Sequence, residues 1–220
     1  MTFQSTRYTS FWISLLLISL MGCQTAYYSA MEKVGIHKRD ILIDRVEEAT
    51  TSQEEAKEEF KSALEQLSSL ISFQGGELQA QYEASSAQYE ASVEAAKKVS
   101  EHIEKVDDVA TALFTEWEDE ITQYSNKSLQ RQSQSTLRQT QLLFNSLMRS
   151  MRRSEQQMAP ILATLRDHTL FLKHNLNASA IGALKGEYQT IKKGVEQLIT
   201  EMNKSIAESQ AFIATLKTNS

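Results

Sequence analysis

Cysteine and proline each occur once in these 220 residues, and glycine only seven times. The single Cys excludes an intrachain disulfide framework and any zinc site built on several thiolates. Sandwiches, barrels and doubly wound folds need many tight turns, and turns consume Gly and Pro. Their scarcity argues for few turns and long helices. Aromatic residues make up 8%, and the formal net charge is −5, with no long basic tract of the kind that marks a nucleic-acid binder. What is present is ordinary for a folded chain: 41% apolar and 23% charged residues, too apolar for disorder and long enough for one sizeable core.

The one continuous apolar run is Phe11–Leu20, which follows a polar stretch carrying Arg7 and no acidic residue. A helix of that length reaches only about 15 Å, roughly half the hydrocarbon core of a bilayer, so a spanning helix is disfavoured. A basic start, a short apolar run and a small residue before a cut describe a secretory signal peptide. Leu20, Met21, Gly22 and Cys23 resemble the bacterial lipobox, in which cleavage precedes Cys and its thiol takes a diacylglycerol. The expected division is therefore a lipoprotein signal peptide over 1–22, a lipid-anchor junction over 23–25 and a single helical domain over 26–220. A plain signal peptide with an incidental Cys is the competing reading. Several acyl chains on Cys23 would hold the chain stably at a membrane. Gln24, rather than Asp, follows the Cys, which by resemblance to Gram-negative lipoproteins implies the periplasmic face of the outer membrane. Tyr27 and Tyr28 would then sit near the headgroups.

Beyond Cys23 the dominant pattern is a 3,4 spacing of apolar residues, the signature of helices packed along a seam. Four segments follow, over about 26–72, 77–124, 128–174 and 180–217. The first places Val46, Gln53, Phe60 and Leu67 at a and Leu42, Ala49, Ala56, Ala63 and Leu70 at d. The second places Tyr82, Tyr89, Ala96, Ile103, Ala110, Trp117 and Tyr124 at a. In the third, Leu137, Phe144, Met151, Met158, Leu165 and Leu172 repeat every seven residues, and Pro160 is expected to kink or locally break the helix. The fourth is led by Ile181, Tyr188, Val195, Met202 and Leu216. Gly75-Gly76 suits a turn, and the heptad phase slips across Ser125–Lys127 and Asn175–Asn177, where turns are also expected. The fold class is all-α: an elongated antiparallel bundle of four long helices with coiled-coil-like packing. A single helix joining the second and third segments is the rival arrangement.

Charge is unevenly divided, with net −4 over 24–72, −9 over 77–125, +6 over 126–175 and +1 over 178–220. Pairing between the acidic second and basic third segments would help fix helix order. The alternative is that Arg149, Arg152 and Arg153 form a patch for an anionic lipid, glycan or acidic partner.

Catalytic signatures are missing: there is no G-x-S-x-G, P-loop, H-E-x-x-H or G-x-G-x-x-G. Of the four histidines, His168 falls at a d position, where a hydrogen-bonded core residue is expected rather than a ligand, and His174 lies on a different helix face. No catalytic residue, metal site or cofactor is expected, and the aromatic a positions read as core rather than a ligand slot.

The stretches Tyr27–Ala49, Phe73–Tyr82, Ala112–Asn126 and Arg166–Ala178 together resemble a bacterial envelope protein family catalogued as domain of unknown function 2959. The resemblance covers almost the whole chain after Cys23. It implies a helical Gram-negative envelope protein and supplies no activity, ligand or catalytic residue. The functional expectation is a non-enzymatic, lipid-anchored scaffold or spacer that meets an envelope protein or polymer, with homo-oligomers open. The alternative is a lipid-binding or membrane-remodelling bundle.

Overall fold

Long heptad stretches with almost no helix breakers leave the backbone one economical way to satisfy its donors and acceptors, and every regular element formed is a helix. The computed structural model describes residues 27–28, 30–72, 78–175 and 177–218. Among these there is no strand. A short helical segment comes first, and four long helices follow: α1 (Lys38–Ile71), α2 (Leu78–Gln123), α3 (Lys127–His174) and α4 (Ala178–Thr218). The chain divides into two compact units between Ile41 and Leu42.

In the N-terminal unit the helix expected from residue 26 onward is interrupted. Gly35 adopts φ +85, and the Gly35 and Ile36 amides donate to the carbonyls of Glu32 and Met31. This is the Schellman closure of a helix C-terminus, which favours a residue without a Cβ. His37 then caps α1: its carbonyl accepts from Asp40 and Ile41, while the Asp40 carboxylate accepts from the His37 amide at 3.3 Å. The heptad pattern begins only at Leu42, so it could not report this break.

From Leu42 onward the a and d residues form the core. All nine a and d positions expected on α1 are buried, including Val46, Gln53 and Phe60 at 0% exposure. On α3 the whole series from Leu137 to Leu172 is buried, with Thr140, Ser154 and His168 completing the d positions. On α4 the buried series runs from Leu184 through Val195 and Met202 to Leu216, while Ile181 and Tyr188, expected at a, are half-buried. The seam of α2 is buried only in its middle, from Ser92 to Ala110. Tyr82, Tyr89 and Trp117 are half-buried rather than core, and Tyr124 is exposed. The cause at Tyr124 is that α2 ends at Gln123, so the residue falls in the turn.

That turn lies where the phase slips. Asn126 is the N-cap of α3, its side-chain oxygen accepting from the Ser128 and Leu129 amides at 2.9 and 3.3 Å. A single helix through this point is thereby replaced by two. Asn175 caps the other end of α3, donating from its amide to the Leu172 carbonyl at 3.1 Å. The expected turn at Gly75-Gly76 lies outside the described residues. Pro160 does not break α3, which continues through it to His174. Pro160 and Gln156 are both exposed, so the carbonyl deprived of its usual donor is available to water.

Side-chain links fix which helices meet. Gln88 of α2 donates to Glu59 of α1 at 2.8 Å, and Gln66 of α1 to Gln81 of α2 at 3.2 Å. Phe144 of α3 packs edge-on against Phe114 of α2 and touches Phe212 of α4, at centroid distances of 5.4 and 5.9 Å. Lys217 of α4 donates to Glu47 of α1 at 3.2 Å. In the centre of the core Gln53 Nε2 donates to Ser154 Oγ at 2.9 Å, joining α1 to α3 through two fully buried polar residues.

Candidate functional site

Leu20, Met21 and Gly22, expected as a lipobox, and Cys23, expected as the acceptor, lie outside the described residues. Of the aromatics that follow, Tyr27 is exposed and Tyr28 buried, their rings edge-on at 5.5 Å. The Lys38 ammonium lies 5.9 Å from the Tyr28 ring centroid and pairs with Glu32.

Arg149, Arg152 and Arg153 all stand on the outside of α3, because the inward a and d positions of this stretch are taken by Phe144, Leu147, Met151 and Ser154. They do not share one environment. Arg152 Nη1 is 3.1 Å from Glu155 Oε2, and its Nη2 lies 4.0 Å from Asp107 of α2. Arg153 reaches towards Glu201 of α4 at 3.9 Å. Arg149 is exposed and makes no ion pair among the described residues. The patch is therefore narrower at these three residues than their spacing suggests, and longer along the helix. Arg131, Arg138 and Lys173 are also exposed and unpaired, and Arg166 touches only its neighbour Asp167 at 3.5 Å. Between them Leu142 is 68% exposed and Leu170 53%. This combination, cationic with protruding leucines, was visible only once the outward face was known.

Facing outward on α2 are Glu90, Glu94, Glu101 and Glu104. Glu90, Glu94 and Glu104 make no ion pair with α3 among the described residues. One link between α2 and α3 is Arg152–Asp107, at the limit of ion-pair distance and half-exposed, a geometry worth well under about 1 kcal/mol. Acidic and basic residues here point to the exterior because the facing surfaces of both helices are occupied by apolar side chains.

His168 is hydrogen-bonded in the core, as its d position requires. Its Nε2 is 2.9 Å from Glu187 Oε2 of α4, and its side chain is 8% exposed. The other ring nitrogen, Nδ1, is buried without a partner, as is the hydroxyl of Ser85 on α2. Both residues line a cavity of about 20 Å³, together with Gln66, Leu70, Tyr89 and Leu165. That is room for one water bridging two helices, and too little for a substrate. His102 Nδ1 lies 3.5 Å from Glu48 Oε2. Burial raises the Glu48 carboxyl, but the hydrogen bonds and charge of Arg45, with His102 and Lys105 nearby, outweigh it and leave the pKa below the ordinary 4.5. His37 is used as a helix cap and His174 is exposed at the end of α3. Among the described residues no group of three or more His, Cys, Asp or Glu is placed to hold a metal ion.

An open groove of about 490 Å³ runs between α3 and α4, floored by Ile161 and Ile191. Its depth comes from Gly194, whose missing Cβ would stand 3.7 Å from Ile161 Cγ1. No helix among the described residues is long and apolar enough to cross a membrane.

Fold and surface define an all-helical protein that buries most of its apolar side chains along an internal seam and carries most of its ionisable groups on outer faces. The chain belongs to the family described as Protein of unknown function (DUF2959), whose profile matches residues 27–216. No curated protein and no solved structure matches it.

Proposed function

We propose that the chain is a non-enzymatic lipoprotein, anchored through Cys23 on the periplasmic face of the outer membrane, which works as a scaffold or spacer. Its body is an elongated antiparallel bundle of α1 to α4. Support for that arrangement comes from the order of the contacts, since partners on successive helices run in opposite directions along the chain. Trp117 bonds to Ser133 and Arg152 approaches Asp107; His168 bonds to Glu187 and Arg153 approaches Glu201; Lys57 bonds to Asn203 and Lys217 to Glu47.

The observation that carries the reading is the seam: the a and d residues of α1 and α3, the middle of α2 and most of α4 are buried, and the charged residues lie mainly on the exterior. A binding or spacing role uses such an exterior directly. The lipobox at Leu20–Cys23 supplies the tether. The partner is an envelope protein or polymer.

Metabolic labelling with an alkyne fatty acid, followed by membrane fractionation, tests the tether. Label and outer-membrane recovery are expected in the native chain and lost in Cys23→Ser. Unlabelled native chain, or a Cys23→Ser chain that stays in the outer membrane, contradicts it.

A second reading is favoured by Leu142 and Leu170 protruding among arginines: a bundle whose α3 face binds or reshapes anionic lipid. It predicts vesicle binding that weakens as salt is raised.

A further inference from the structure

We infer that the chain forms a two-fold dimer in which the acidic outer face of α2 in each copy lies on the basic outer face of α3 in the other. The inference depends on the opposed run of α2 and α3 and not on the anchor at Cys23.

The two helices are of matched length, 46 and 48 residues, and of opposite charge. Over its span α2 carries 11 acidic and three basic residues, net −8, whereas α3 carries eight basic and two acidic, net +6. Within one molecule Glu90, Glu94 and Glu104 of α2 and Arg131, Arg138, Arg149 and Lys173 of α3 are exposed and make no ion pair among the described residues, so each face retains a field there. A surface of complementary charge is the partner such faces select.

The chain itself supplies that surface at the right heights. The contacts Arg152–Asp107, Gln141–Glu118 and Phe114–Phe144 set which residues of α2 and α3 are level. Stepping equally along both helices from Arg152–Asp107 brings Arg166 level with Glu90 and Glu94. A further step brings Lys173 level with Glu83 and Glu90, and stepping the other way brings Arg138 level with Glu118. A two-fold axis parallel to the helices preserves these heights while exchanging the sides. It sets α2 of one copy on α3 of the other twice, in a closed, self-complementary interface. An axis perpendicular to the helices would instead oppose acid to acid and base to base. The same α3 face carries Leu142 and Leu170, which the interface would cover. Both copies keep the same direction, which suits two chains rooted in one membrane.

Sedimentation of the full chain in an uncharged detergent tests this. A dimer is expected at about 0.05 M salt, weakening towards about 0.5 M as the charges are screened. Arg149→Glu with Arg166→Glu and Lys173→Glu should weaken self-association at least about tenfold, and so should Glu90→Lys with Glu94→Lys and Glu104→Lys. All six positions are exposed, and unchanged circular dichroism will show that the helices persist. Mixing the two variants should restore a heterodimer, an outcome that damage to the fold cannot produce. A chain that stays monomeric up to about 100 µM at low salt overturns the inference. So does a dimer indifferent to both sets of reversals. Binding of a monomer to phosphatidylglycerol vesicles that only the α3 reversals abolish would also overturn it, and would assign the face to lipid.

Discussion

α2 and α3 are built on the same repeat and have nearly the same length, yet they use it differently. The a positions of α3 are filled by Leu, Phe and Met and are buried from Leu137 to Leu172. The seam of α2 is buried from Ser92 to Ala110 and loosens at both ends, where its a positions are Tyr82, Tyr89 and Trp117. An aliphatic side chain at a has nothing to gain from water. Tyr and Trp have an apolar body and a polar tip, so they remain half in the core while reaching a partner. Trp117 does this with an Nε1–H donated to Ser133 of α3 at 2.9 Å. A heptad position therefore reports which side faces inward, while the residue occupying it decides how deep it goes.

The largest expected effect breaks this comparison directly. Leu147→Ala, in the fully buried α3 seam, should cost about 2–5 kcal/mol, whereas Tyr82→Ala, on the loose end of α2, should cost less than about 1.5 kcal/mol. Urea unfolding of the full chain measures both, and equal losses would show that the α2 end is core after all.

A second test concerns the polar link across the core. Ser154→Ala should cost about 1–3 kcal/mol, because it strands the Gln53 amide, whose Oε1 already lacks a partner. Gln53→Leu should cost less or even stabilise, since Ser154 still donates to the Met151 carbonyl at 2.8 Å. A reversed order of the two midpoints would remove this account of the link.

Next in size is the boundary between the two helices. Asn126→Ala removes the acceptor for two amides and should cost about 1 kcal/mol, with amide exchange accelerated first at Ser128 and Leu129. Unaltered exchange at those amides would mean that the cap contributes nothing.

The smallest effect is electrostatic. The Glu48 pKa is lower in the folded chain than in the unfolded one. Its contribution is therefore fully present above about 4.5 and lost as pH falls through the lower folded value. Because Glu48 is 41% exposed, the contribution should stay below about 0.5 kcal/mol. Arg45→Met should shift the Glu48 titration upward when followed by NMR, and an unmoved titration would exclude the pair as the cause.

Much of the fold was legible because burial at a and d follows from helical geometry alone. Leu42 to Leu70 and Leu137 to Leu172 fall where the repeat puts them. The turn before α3 was legible as a phase slip, with Asn126 as its chemical mark. The Gly35 break was not, because it lies ahead of the first heptad and only a positive φ reveals it. The break allowed for at Pro160 does not occur, because the cost of a missing donor depends on whether water can reach the carbonyl. The outward α3 face was partly legible: Arg149, Arg152 and Arg153 marked it, but only packing separates the unpaired Arg149 from Arg152 and Arg153. The partner of His168 could not be read at all, since Glu187 is brought to it by the meeting of two helices.

Crosslinking in intact cells, with partners and linked residues identified by mass spectrometry and Cys23→Ser as control, tests the proposed tethered scaffold most directly. The account predicts links from the outer faces of α2 and α3 to an envelope partner and to a second copy, with the envelope partner lost in the control. A partner set unchanged by Cys23→Ser, or links confined to proteins outside the envelope, would contradict it.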